Sequence, residues 1–167
     1  MDYIDDSVVP SGFNGINIEG YTYGELRRSP IIPEILRNIT NPIIKKWAEE
    51  CNERNRSGFI MTKVNNEYCF DDLRVGPKVK LPSPSELQMI LGDNPDSSDI
   101  RNVSYNMLRE EISKQTGLDI KKAALAIGNM LDCVPHEDIS GYVFMVPNWA
   151  HKWFPHKGYV SHMRSQK

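Results

Sequence analysis

Residues 132 to 162 limit the fold more than any other stretch of the chain. A short apolar run, Cys133, Val134 and Pro135, ends at His136. Ile139, Ser140 and Gly141 supply a turn, and a second apolar run extends from Tyr142 to Val146. Two such runs around turn residues predict a β-hairpin. The segment after Pro147 predicts a short helix carrying His151, and Pro155 ends it, since proline lacks an N–H and clashes with the preceding turn. His156 follows, five residues after His151 and off its helical face, with Gly158 allowing the chain to reverse. All 4 histidines, His136, His151, His156 and His162, fall in this region. Imidazole serves both as a general base near neutral pH and as a ligand for divalent metals, and a strand end facing a short helix is small enough to hold one ion.

Charge is concentrated at the same end. After Asp138 the chain contains no Asp or Glu, while Lys152, Lys157, Arg164 and Lys167 are positive; Asp2, Asp5 and Asp6 lie at the other terminus. The net charge of −2 gives no global attraction to nucleic acid, but the basic C-terminal segment suits a phosphate backbone locally.

The run Val146, Pro147, His151, His156, Gly158, Val160, Ser161, with His136 ten positions before its first residue and Asp138 eight before, resembles the HNH (His-Me finger) nucleases of bacterial polymorphic toxins, and most closely their WHH/GHH-type domains. The likeness is clear over about 35 residues, weak over residues 70 to 132 and absent before that. It implies an α+β fold of helices with a small antiparallel sheet and a C-terminal ββα-metal motif over residues 132 to 162. It further implies a metal-dependent endonuclease, with DNA favoured over RNA because attack by water needs no 2′-hydroxyl. By the same likeness His136 is the general base, and His151, His156 and Asp138 hold one divalent ion, magnesium, manganese or zinc. The chain departs from the pattern at Pro135, where the family places a further histidine that binds the metal, at Val134 in place of tryptophan, at Tyr159 in place of glycine, and at Phe144, where broader HNH nucleases carry an asparagine that orients the base. Asp138 is then expected to complete the metal shell. The alternative is a catalytically decayed domain that binds nucleic acid or a partner.

Lys152, Lys157, Arg164 and His162 are the expected phosphate contacts, which position a strand without reading its sequence. Trp149 and Trp153 fit either core anchors or platforms for bases. The resemblance also implies a cognate immunity protein and an effector delivered into the cytoplasm of a target bacterium. No signal peptide or membrane segment is expected, for no run approaches the roughly 20 apolar residues of a span. A nucleobase deaminase is excluded, because no Cys-x-x-Cys follows His136 and Glu137. Cys51, Cys69 and Cys133 are too widely spaced for a zinc ribbon and read as ordinary buried thiols.

At 167 residues the chain can bury one core. Residues 1 to 57 are expected to form an extension or adaptor and residues 58 to 167 the nuclease-like domain. Apolar residues repeat at three and four between 33 and 54, predicting two helices divided near Thr40 and Asn41 by Pro42. Residues 59 to 64 and 68 to 70 predict a hairpin turning at Asn65 and Asn66, with 75 to 81 as a third strand. Residues 85 to 91 predict a helical turn. Ser98 is the expected cap of a helix through Gln115, and a further helix is expected over 118 to 131 after Gly117.

Overall fold

Proline and short polar side chains set most helix boundaries in the computed structural model, which describes residues 20–58, 62–64, 66–93 and 95–153. α1 (Tyr23–Arg28) starts at a capping box: the Thr22 hydroxyl accepts from the Glu25 N–H, and the Glu25 carboxylate accepts from the Thr22 N–H. The repeat from 33 to 54 divides as expected into α2 (Pro33–Leu36) and α3 (Pro42–Arg54). Each carries proline in its first turn, where the missing N–H would have no partner. Asn41 caps α3 by accepting from the N–H groups of Ile43 and Ile44.

α4 (Pro84–Leu91) opens on a second capping box, Ser83 with Glu86. α5 (Ser97–Thr116) is capped by Asp96 rather than by Ser98, because the Asp96 carboxylate reaches the Asp99 N–H while Ser98 already lies within the first turn. It ends at Gly117 in the left-handed conformation, at φ 75°. The helix expected over 118 to 131 is shorter: α6 (Ile120–Leu125) widens into one π turn (Ala126–Met130).

β1 (Thr62–Val64) and β2 (Glu67–Cys69) form a separate antiparallel hairpin whose turn holds Asn66 at φ 65°. β3 (Val75–Lys80) does not extend that hairpin; it joins β4 (Cys133–Glu137) and β5 (Tyr142–Pro147) in an antiparallel sheet of order β3-β5-β4. β5 is buried from Val143 to Pro147, the pattern of a central strand, and so takes a neighbour on each edge. β4 is an edge strand, which is where proline is tolerated.

Side chains alternate between the two faces of this sheet. On one face Val75, Cys133, Val143 and Met145 pack with Ile44, Ala48, Leu108 and Ile127 of the helical layer. On the other, Phe144 and Val146 pack with Leu26, Ile32, Phe70, Leu73 and Trp149. The boundary expected at residue 57 therefore does not separate two packing units. From residue 20 onward the N-terminal segment shares both cores with the hairpin, because the apolar faces of α2 and α3 have no second core of their own to cover. The described chain is α+β, and none of its helices is long and apolar enough to cross a membrane.

Gly76 shows how closely these layers approach. Its φ of 88° is unfavourable to any side chain, and a Cβ built there would lie 2.9 Å from Trp47 Cε3. Gly76→Ala is expected to lower stability by about 3 kcal/mol, through positive φ and overpacking together, read as a lower urea midpoint with an unchanged slope.

Candidate functional site

Alternation along β4 separates the residues of its sequence motif. His136 shares a face with Val134, while Pro135 and Glu137 point to the helical layer. Pro135 lines a small cavity with Leu108, Ile112 and Met145. Glu137 accepts from the Ser104 hydroxyl of α5 at 2.8 Å, with Arg101 Nε at 3.9 Å. Burial pushes the Glu137 carboxyl up, and Ser104 and Arg101 oppose it. A ligand at position 135 would therefore face away from His136, so its replacement by proline removes nothing from the His136 face of this strand.

Asp138 follows the strand and returns to the His136 side. His136 Nε2 lies 2.8 Å from Asp138 Oδ1. The same oxygen accepts from the Phe70 N–H at 2.8 Å. Oδ2 accepts from the Ser140 N–H at 3.1 Å and from the Cys69 thiol at 3.2 Å. A carboxylate has about four lone-pair sites, and these four donors occupy them. Burial pushes the Asp138 carboxyl up, but the bonds from His136, Ser140 and Phe70 together outweigh it and hold the group at about 2. Asp138, expected as a metal ligand, is instead a fully buried anchor for His136. Because the carboxylate can only accept, Nε2 is the donor, and a neutral ring then carries its lone pair on Nδ1.

Aromatic packing fixes the same ring from other directions. The Phe70 ring centroid is 4.5 Å from that of His136, and Phe144, opposite His136 in the β4–β5 register, presents its ring at 5.7 Å. Phe144 thus packs on the imidazole, and Asp138 orients it. His136 is only 2% exposed.

α7 (Asn148–Trp153) places the second histidine. The Asn148 N–H donates to the Asp132 carbonyl at 2.9 Å, which joins the start of the helix to the start of β4. Trp149 is buried and its Nε1 donates to the Pro30 carbonyl at 3.0 Å, so it is a core anchor and not a platform for bases. Between these ties His151 comes to rest half-buried, its ring centroid 5.3 Å from that of His136 and nearly perpendicular to it, at 75°.

Of the expected site residues, His136, Asp138 and His151 are thus brought together. His156, Lys157, His162 and Arg164, and the side chain of Lys152, lie outside the described residues. Among the described residues no group of three or more His, Cys, Asp or Glu is arranged to hold a metal ion. Cys51 and Cys133 are buried, which pushes the first thiol up to about 12 and the second well above its ordinary value, so neither is an activated nucleophile. Burial and the neighbouring Asp138 push the Cys69 thiol up to about 11. The Phe70 N–H and Cys69 belong to the site without any expectation from the sequence: they come from the end of β2 and the residue after it, where Tyr68, Cys69 and Phe70 form only a short β-prone run.

No protein-family model matches the chain, and neither a curated protein nor a solved structure matches it significantly.

Proposed function

We propose that this protein is a metal-dependent endonuclease, with DNA the favoured substrate, acting as an antibacterial effector restrained by an immunity partner. The observation that carries the reading is the pairing of His136, anchored by a buried carboxylate, with His151 on the helix that directly follows the hairpin. In this reading the β4–β5–α7 unit is the ββα element that the resemblance implies. A divalent ion held through His151 and His156 would supply charge neutralisation at the phosphate.

The chain's own residues have separable tasks. Asp138 holds Nε2 as a donor and fixes the ring plane. Nδ1 of His136 accepts the proton of the attacking water, and the negative charge of Asp138 stabilises the imidazolium that results. Phe70 and Phe144 keep water from the other ring atoms. The attacking oxygen then forms its bond to phosphorus as the bond to the leaving oxygen breaks.

A second reading rests on one structural feature, the 2% exposure of His136. A base must reach water, and a ring so covered also suits a decayed domain in which the dyad only stiffens the hairpin. Cleavage of supercoiled plasmid and of single-stranded RNA with magnesium, manganese, zinc or EDTA decides between them. Nicking that requires metal supports the enzyme. Retained binding without cleavage under every metal replaces it with a binding module.

A further inference from the structure

Away from the dyad, α3, β3 and the end of α5 enclose an open groove of about 370 Å³. Trp47 forms one wall, Arg54, Arg74 and Lys78 contribute cations, and Gln115 adds an amide. Glu50 lines the groove as well, and Asp71 bonds to both Arg74, at 3.0 Å, and Lys78, at 3.3 Å. Glu111, whose carboxylate accepts from the Gln115 amide at 2.7 Å, brings the acids around the groove to three, equal to the cations, so what the groove offers is cations in fixed positions and not a net positive charge.

Both guanidiniums are held before any ligand arrives. Arg54 donates to the carbonyls of Asp72, at 3.1 Å, and Arg74, at 2.6 Å, and Arg74 donates to the Asp71 carbonyl at 3.1 Å. Ordering these long side chains in advance removes an entropic cost of binding. Trp47 is positioned in the same way: Gly76 has no Cβ to hold the indole off the strand.

An aromatic plane beside fixed cations is the combination that binds one unit of a nucleic-acid strand, with a base stacked on the ring and phosphates on the positive groups. The volume falls within the range of small-ligand clefts and suits about one nucleotide. A chain of bonded neighbours links the Lys78 end of the groove to the dyad, while Trp47 packs on the other face of the sheet. Lys78 Nζ lies 4.7 Å over the Tyr142 ring, and the Tyr142 carbonyl accepts from the Asp138 N–H at 2.8 Å. Asp71, which bonds Lys78, follows Phe70, whose N–H bonds Asp138. We infer that the Trp47, Arg74 and Lys78 groove binds a nucleotide, either free or as one unit of a single strand passing the His136 site. The choice of a nucleic-acid ligand rests on the function proposed above; the groove itself does not depend on cleavage.

The test is binding of a fluorescent single-stranded oligonucleotide to the full chain in EDTA, followed by anisotropy, with a 5′-mononucleotide as competitor. Lys78→Glu is expected to weaken binding about tenfold and to reduce the salt slope by roughly 0.7, the contribution of one single-strand phosphate contact. Trp47→Phe is expected to weaken binding several-fold through poorer stacking, while Lys78→Glu, on the exposed edge of β3, covers the case in which the tryptophan variant folds poorly. Competition by the mononucleotide assigns the groove to a free ligand, and its absence assigns it to a strand. If both folded variants bind as the parent does, or if the parent binds neither ligand, the inference is overturned. Cleavage measured on the same proteins keeps the two questions apart: a metal-dependent nuclease indifferent to Lys78→Glu loses only the groove, and a protein that binds through the groove without cutting loses only the nuclease.

Discussion

Asp138→Ala is expected to destabilise the fold by about 4 kcal/mol, a large fraction of the roughly 5–15 kcal/mol available to a domain. The estimate follows from what the carboxylate satisfies. Its removal leaves the Phe70 N–H and the His136 Nε2–H buried without their acceptor, each such orphan costing about 1–3 kcal/mol, while the N–H of Ser140, an exposed turn residue, can turn to water. Asp138→Asn separates charge from shape. Its amide oxygen can still accept from Phe70 and His136, but its NH2 group then meets the Ser140 N–H and the Cys69 thiol, donor against donor. The expected loss is smaller, about 2 kcal/mol. The pH dependence gives an independent reading. The folded group sits at about 2, below its ordinary 3.8. Its contribution is therefore fully present above about pH 3.8 and disappears as pH falls through the folded value. In urea titrations the parent should lose stability across that interval, and Asp138→Asn should lose less. Equal acid sensitivity of the two proteins would mean that the carboxylate is not the anion the site is built on.

The same carboxylate shows where sequence reading succeeds and where it stops. The hairpin and its helix are legible because the turn residues 139 to 141 separate two apolar runs, and the division of α2 from α3 is legible because Pro42 forces it. These are local effects, written within a few residues of where they act. The partners of Asp138 are different: Cys69 and Phe70 lie about seventy positions earlier and are brought in by the packing of Phe70 against Phe144, which no local pattern announces. The sequence shows only an aspartate near histidines, the pattern of a ligand, and the donors that direct its lone pairs toward anchoring His136 are not local to it. Pro135 gave the opposite difficulty. In the sequence it is a departure from the family pattern beside His136, yet the period of a strand turns it toward Leu108, on the far side from His136. The groove beside Trp47 was invisible because it joins α3, β3 and the end of α5, distant segments none of which carries a binding motif alone.

His136→Gln is expected to reduce the rate of metal-dependent cleavage by about 10²–10⁴-fold, the range of a lost general base. Glutamine is preferred to alanine here because its side-chain NH2 can still donate to Asp138, so the anchor keeps a partner and the buried site keeps most of its volume. A loss with an unchanged urea midpoint then belongs to chemistry rather than to folding. His151→Ala should also lower the rate, but with a different signature: if His151 contributes to an ion, raising the metal concentration recovers part of the activity, whereas no amount of metal restores the His136 variant. Asp138→Asn supplies the third arm. It leaves the His136 ring in place but removes the charge that fixes Nε2 as the donor, so activity should fall and its dependence on pH should shift, as expected of a residue that acts through another. A His136→Gln protein that nicks plasmid at the parent rate would remove the base from the mechanism. The buried imidazole would then have to be read as a structural ring, held between Phe70 and Phe144, that closes the hairpin on Asp138.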